Sequence, residues 1–193
     1  GSSLAVILMQ RGMMPLHSCS VLHDGAAILV IGKSGAGKST MLGGLTAHDL
    51  PMIADDVTGL KLDSEGAPVA HAGFPSTRLW EDSLGLLGED HEPLDRVRSD
   101  SAKFYLPVER FHEAPTPIGA IAYLAPSNGD KLVIEELASD ERVPVLYSFI
   151  FRKHFLAGLG LQQEAFRQVA GTVARARMLK VTRPAGGIDP KQS

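Results

Sequence analysis

Cysteine occurs once in 193 residues, as Cys19, which excludes a disulfide framework and a cysteine-cluster metal site within one chain. Long apolar runs are absent as well. The longest, Leu4–Met9 and Ala26–Ile31, have six residues each, where a bilayer-spanning helix needs about 20. Nor is there an excess of basic residues: 19 Lys+Arg stand against 22 Asp+Glu, so nothing attracts nucleic acid in general. An apolar share of 44% is too high for a disordered chain. These absences predict a cytoplasmic protein that engages neither membrane nor nucleic acid. The length suits one domain, expected to span residues 1–193, with Gly1-Ser2-Ser3 resembling a tag remnant.

What is present is an alternation of short apolar segments with turn signals. A helix is predicted over Leu4–Arg11, ended by Gly12, followed by a strand over Leu16–Leu22. His23-Asp24-Gly25 reads as a hairpin turn into a second, fully apolar strand, Ala26–Ile31. After a glycine-rich stretch come a helix from Ser39 to His48 and a short strand, Pro51–Ala54. Val57–Leu62 and Val69–His71 read as a hairpin, Leu79–Leu87 as a helix and Gly88–Asp100 as a polar loop. Ile118–Leu124 and Leu132–Ile134, around Pro126–Asp130, predict another hairpin. Helices over Val145–Leu156 and Gln163–Ala176 and a strand over Met178–Val181 complete the pattern. Hairpins around one strand–loop–helix unit predict an α/β fold with a mixed sheet.

The glycine-rich stretch, Gly32-Lys33-Ser34-Gly35-Ala36-Gly37-Lys38-Ser39, satisfies G-x-x-x-x-G-K-[ST] in full. Its chemistry follows from residue type. Gly35 and Gly37 allow the tight turn that points successive N–H groups into one concavity, where phosphate oxygens are held. The start of the following helix adds partial positive charge. Lys38 is placed to meet the β- and γ-phosphates, and the Ser39 hydroxyl to take one position on Mg²⁺. Gly32, Ser34, Gly35, Ala36, Gly37, Lys38, Ser39 and the adjacent Thr40 are the candidate nucleotide-binding residues for ATP.

Phosphoryl transfer also needs a carboxylate for the metal and a base for the acceptor. Asp55 and Asp56 close an apolar strand soon after the loop. On an extended chain neighbouring side chains face opposite ways, so one carboxylate can face Mg²⁺ and the other the acceptor.

Leu16-His17, the hairpin, the loop Gly32–Ser39 and Ile53-Ala54-Asp55-Asp56 together resemble the catalytic domain of the HPr kinase/phosphorylase family. The resemblance implies a P-loop kinase core with a mixed sheet, related to phosphoenolpyruvate carboxykinase. It implies Asp56 as the base, Asp55 as a metal ligand, and His17 as the residue that orients the acceptor or stabilises charge. Looser likeness in Gln10-Arg11-Gly12, Thr77–Trp80 and Leu106–Phe111 resembles the kinases of lasso-peptide gene clusters, which phosphorylate a serine of a precursor peptide. Three departures from HPr kinases stand out. Thr40 follows Ser39 where Glu is usual, the glycine-rich segment carrying a metal-binding Glu is not evident, and no separate N-terminal regulatory domain is expected. They point away from HPr as acceptor and from phosphorylase activity.

The expected activity is therefore ATP- and Mg²⁺-dependent transfer to a serine hydroxyl of a peptide or small protein. A metabolite acceptor and a non-catalytic, nucleotide-dependent binding module, assembling as a homo-oligomer, remain open. Arg78, Lys103 and Arg152 are further candidates for substrate or phosphate contact. Each also has a plain reading: Arg78 packing on Trp80, Lys103 starting a strand, Arg152 closing a helix. Arg167, Arg175, Arg177, Lys180 and Arg183 make the C-terminal part basic, which reads as a solvated face or a surface for an acidic peptide or second subunit. Cys19 is expected to be buried and inert.

Overall fold

The structure is a computed structural model that describes residues 2–80, 103–107, 110–126 and 131–183, with the backbone alone described at 76–80 and 103–107. Helix α1 (Ser2–Gln10) ends before Gly12, which takes a left-handed φ of 71°. The strand expected over Leu16–Leu22 is two strands, β1 (Met14–Leu16) and β2 (Ser18–His23), and the interruption falls on His17. Asp24 and Gly25, both at positive φ, turn the chain into β3 (Ala26–Gly32), which pairs antiparallel with β2 as the Asp-Gly signal predicts. Then come α2 (Lys38–Ala47), β4 (Met52–Ala54) and the hairpin of β5 (Thr58–Leu62) and β6 (Pro68–His71). The carboxylate of Asp63 closes that hairpin by accepting from the amides of Glu65 and Ala67.

Three further sequence expectations are corrected. Leu79 and Trp80 are not helical: they belong to β7 (Ser76–Trp80), which pairs antiparallel with β8 (Lys103–Pro107). Thr and Trp are good strand residues once a partner strand is supplied, and β8 supplies it. The remainder of that predicted helix, and the loop Gly88–Asp100, lie outside the described residues. Second, β9 (Thr116–Ala125) and β10 (Val133–Glu136) do not pair with each other. The last strand, β11 (Arg177–Thr182), lies between them, parallel to β9 and antiparallel to β10. Third, the helix expected over Val145–Leu156 is split between α3 (Ser139–Ser148) and the short α4 (Phe155–Gly158), and α5 (Gln162–Arg175) follows as expected. Between α3 and α4 the backbone bonds to the edge of β1 instead of continuing the helix. Phe149 O accepts from His17 N at 2.8 Å and Phe151 N donates to Pro15 O at 2.7 Å.

The main sheet is mixed, as expected, with strand order β1-β5-β6-β9-β3-β2-β4; β11 and then β10 are added through β9. Strand β9 serves two neighbours on one side: Thr116 and Pro117 pair with β6, and Ala120–Ala125 with β11. Alternation along β3 divides the core by face. Ala27, Leu29 and Ile31 join a cluster with Leu146, Ala165 and Val169 of α3 and α5, whereas Val30 joins Leu42 of α2, Cys19 and Met52. Helices therefore cover both faces, which leaves the strand ends as the place where a site can open. Among the described residues no helix is long and apolar enough to cross a membrane.

Candidate active site

The strand registers explain how His17 and the aspartates meet. Leu16 pairs with Thr58, and Ser20 pairs with Ala54. The break between β1 and β2 therefore faces the break between β4 and β5, which holds Asp55 and Asp56. Below these breaks Thr58 Oγ1 is shared by Ser18 Oγ at 2.8 Å and Ser20 Oγ at 3.0 Å, all three side chains fully buried. With Ser18 opposite Ile31, His17 comes to the level of Gly32, the first residue of the phosphate loop.

The aspartate pair is not extended, contrary to the expectation from strand alternation. Val57 N donates to Asp55 O at 2.9 Å, and Asp56 between them has φ 70°, a γ-turn. A non-glycine residue in this region is uncommon, although Asp tolerates it better than most. The turn brings Asp56 against His17: Nδ1 lies 3.0 Å from Asp56 O and 3.4 Å from Oδ1. A carbonyl oxygen only accepts, so in the neutral ring Nδ1 carries the hydrogen and Nε2 presents its lone pair.

Burial first, and then the Lys38 ammonium, lower the pKa of His17, against the Asp56 carbonyl and the charges of Asp56 and Asp55, which raise it. His17, Lys38, Asp55 and Asp56 thus share one electrostatic environment. Cys19, as expected, is buried. Its Sγ lies on Lys38 O at 3.3 Å, and burial, reinforced by Asp55, pushes its thiol pKa up.

These shifts give a pH dependence of stability. His71 is lowered too, by burial and then by Lys61. Both imidazoles have folded pKa values below their ordinary 6.5, so the unfolded chain takes up protons that the folded chain excludes. Their full contribution to stability is present above pH 6.5 and is lost as the pH falls through the lowered values. Urea midpoints should fall between pH 7.5 and 5.5, over about the range set by an ordinary His, and His17→Gln should flatten that fall. Equal slopes for wild type and variant would contradict the burial effect on His17.

The phosphate loop adopts the backbone its glycines permit. Gly35 has φ 79° and Gly37 φ 89°, and Ala36 N donates to Lys33 O at 3.0 Å. Gly37 is the N-cap of α2; no side chain caps that helix and no acidic residue lies in its first turn. An uncapped helix start following this loop is a fit for an anionic phosphate chain. Ser39 and Thr40 lie in that first turn. Lys38 is 8% exposed, with Nζ donating to Gly32 O at 2.8 Å and Lys33 O at 3.2 Å, at the start of the loop. Among the described residues no three His, Cys, Asp or Glu side chains form a metal cluster. Ser39 and Asp55 nonetheless offer oxygen donors of the kind taken by Mg²⁺, which binds through few carboxylates together with phosphates and water.

Beside His17 an open cleft of about 390 Å³ is lined by Gly32 and Lys33 on one side and by Phe151, Arg152 and His154 on the other. Phe151 stacks on His17 with ring centroids 5.9 Å apart. Arg152 lies over the Phe151 ring at 5.2 Å and holds φ 58°. It does not close a helix, contrary to the plain reading from sequence; it lies in the turn between α3 and α4. Arg78 and Lys103 are on β7 and β8, opposite Tyr105 and Trp80 respectively, with their side chains outside the description. Two residues at the loop are outside the sequence candidates, Lys33, which lines the cleft, and Arg183. Lys33 is a variable position of the motif, and Arg183 was absorbed into a general basic tail. In the structure Arg167 pairs with Glu164, Arg177 with Glu136 and Lys180 with Glu135, whereas Arg183 Nη2 donates to Ala36 O, within the loop, at 2.6 Å.

No family model and no curated protein matches the chain. Among solved structures, the Hpr(Ser) kinase/phosphatase from Coxiella burnetii aligns over 88% of this chain and 85% of its own, with 11% identity and a TM-score of 0.40. A likeness at that level assigns no activity to this chain.

Proposed function

We propose that the protein is a kinase that transfers the γ-phosphate of ATP, with Mg²⁺, to a serine hydroxyl of a peptide or small protein. The observation that carries the reading is the convergence of His17, Asp55 and Asp56, from two facing strand breaks, on Lys38 and the start of the phosphate loop. In this reading the loop amides and Lys38 hold the phosphates, and Ser39 and Asp55 hold the metal. Held there, Mg²⁺ would neutralise negative charge on the phosphates. Asp56 takes the proton from the serine hydroxyl as its oxygen bonds to the γ-phosphorus and the bond to the ADP oxygen breaks. The neutral His17, which donates from Nδ1 to the Asp56 carbonyl, holds the turn that presents the Asp56 carboxylate and so orients that hydroxyl through Asp56. The cleft beside it supports a peptide acceptor, since Phe151 and Arg152 line it and the backbone bonds to Pro15 and His17 hold that turn in place. Likeness to the lasso-peptide kinases favours a precursor peptide among such acceptors.

The test is incubation with γ-labelled ATP and serine-containing peptides, followed by mass spectrometry. Label is expected on a serine. Label on a metabolite alone would change the acceptor class, and tight nucleotide binding with no phosphoproduct would make the protein a binding module.

A further inference from the structure

Strands β3, β9 and β11 are mutually parallel, so their C-terminal ends share one edge of the sheet. Strand β3 ends at Gly32, where the phosphate loop begins, and β11 ends at Thr182, directly before Arg183. Ligands of open α/β sheets bind beyond the carboxyl ends of the strands. Among the described residues the half-buried Arg183 has a single hydrogen bond, to Ala36 O, and no carboxylate partner. A Cβ built on Gly37 would collide with its guanidinium, which therefore lies against the loop at that residue. Gly37 thus meets two demands: its φ of 89°, and the space that Arg183 fills.

A guanidinium has five N–H donors in a planar fork suited to phosphate oxygens, and one bond leaves most of them for a ligand. The two cations bracket the loop. Lys38 Nζ sits at its start, on Gly32 and Lys33, and Arg183 sits at its end, on Ala36 and Gly37. We propose that Arg183 is a second phosphate-binding cation of the nucleotide site, which holds an inner phosphate of a nucleoside di- or triphosphate while Lys38 serves the outer ones. The inference rests on the nucleotide-binding part of the kinase reading and adds a residue to it.

A merely structural arginine would brace Ala36 O through one N–H, a task that a glutamine amide can also perform. The discriminating variant is therefore Arg183→Gln, with Arg183→Lys keeping the charge. Calorimetric titration with ADP and with pyrophosphate should show affinity lowered about tenfold or more in Arg183→Gln, the loss expected for a charge-assisted hydrogen bond, and by less in Arg183→Lys. The ADP affinity of wild type should also weaken more steeply with salt than that of Arg183→Gln. Thermal midpoints without nucleotide verify that the variants are folded. Wild-type affinity and salt slope in Arg183→Gln would overturn the proposal while leaving the kinase reading intact. A wild-type protein that binds neither ADP nor pyrophosphate would overturn both.

Discussion

Asp56→Asn is expected to lower phosphoryl transfer by about 10²–10⁴-fold, the usual contribution of a positioned base, with nucleotide affinity unchanged. Asn is the informative replacement. Asp56 holds φ 70°, a conformation that Asn accepts at little cost and that Ala would strain. The 3.0 Å contact from His17 Nδ1 goes to the main-chain carbonyl, which the substitution does not alter. Position, size and turn geometry are thus retained, and the charge that would accept the proton is removed. Single-turnover transfer from labelled ATP, with ADP titration on the same samples, measures both quantities. Full transfer activity in Asp56→Asn would remove Asp56 from the role of base and would turn attention to the Nε2 of His17.

The second large effect is expected at Lys38. The residue is 8% exposed and its amine is bonded to two carbonyls of the loop, so it is held in place before any nucleotide arrives. Fixed charge of this kind acts on a transition state without reorganisation, and removing one such donor costs about 10²–10³-fold in kcat. Lys38→Ala is expected to show that loss together with weaker ADP binding. Alanine is a good helix former at the first residue of α2, so the helix itself is not the target of the change. The buried Cys19 contact is to the Lys38 carbonyl and survives the substitution. Arg183→Gln, by comparison, should weaken ADP binding. Transfer in Lys38→Ala equal to that of wild type would mean that the loop does not hold the reacting phosphate.

Several features were legible from local sequence because local backbone demands produced them. The turn at Asp24-Gly25 needs positive φ at both residues, and the phosphate loop needs it at Gly35 and Gly37, which glycine and aspartate advertise. The amphipathic α5 and the apolar β3 follow from periodicity alone. Misreadings occurred where a distant segment supplied the hydrogen-bond partner. Strand β11 inserts between β9 and β10, so turn residues between those two strands do not make a hairpin. Phe149–Phe151 carries no helix-breaking residue, yet it bonds to Pro15 and His17, and that pairing overrides helix propensity.

The candidate site divides along the same line. The lone cysteine, the short apolar runs and the complete phosphate-loop motif determine, before any folding, which chemistries are excluded and where the tight glycine turn falls, because composition and turn geometry are properties of neighbouring residues. The left-handed turn at Asp56, its approach to His17 from 39 positions away, and the reach of Arg183 to Ala36 across 147 positions are different in kind. They arise when strands β1, β2, β4, β5 and β11 take their registers in the sheet. Sheet pairing is long-range, set by burial of both faces and satisfaction of the backbone, and no window of sequence contains it.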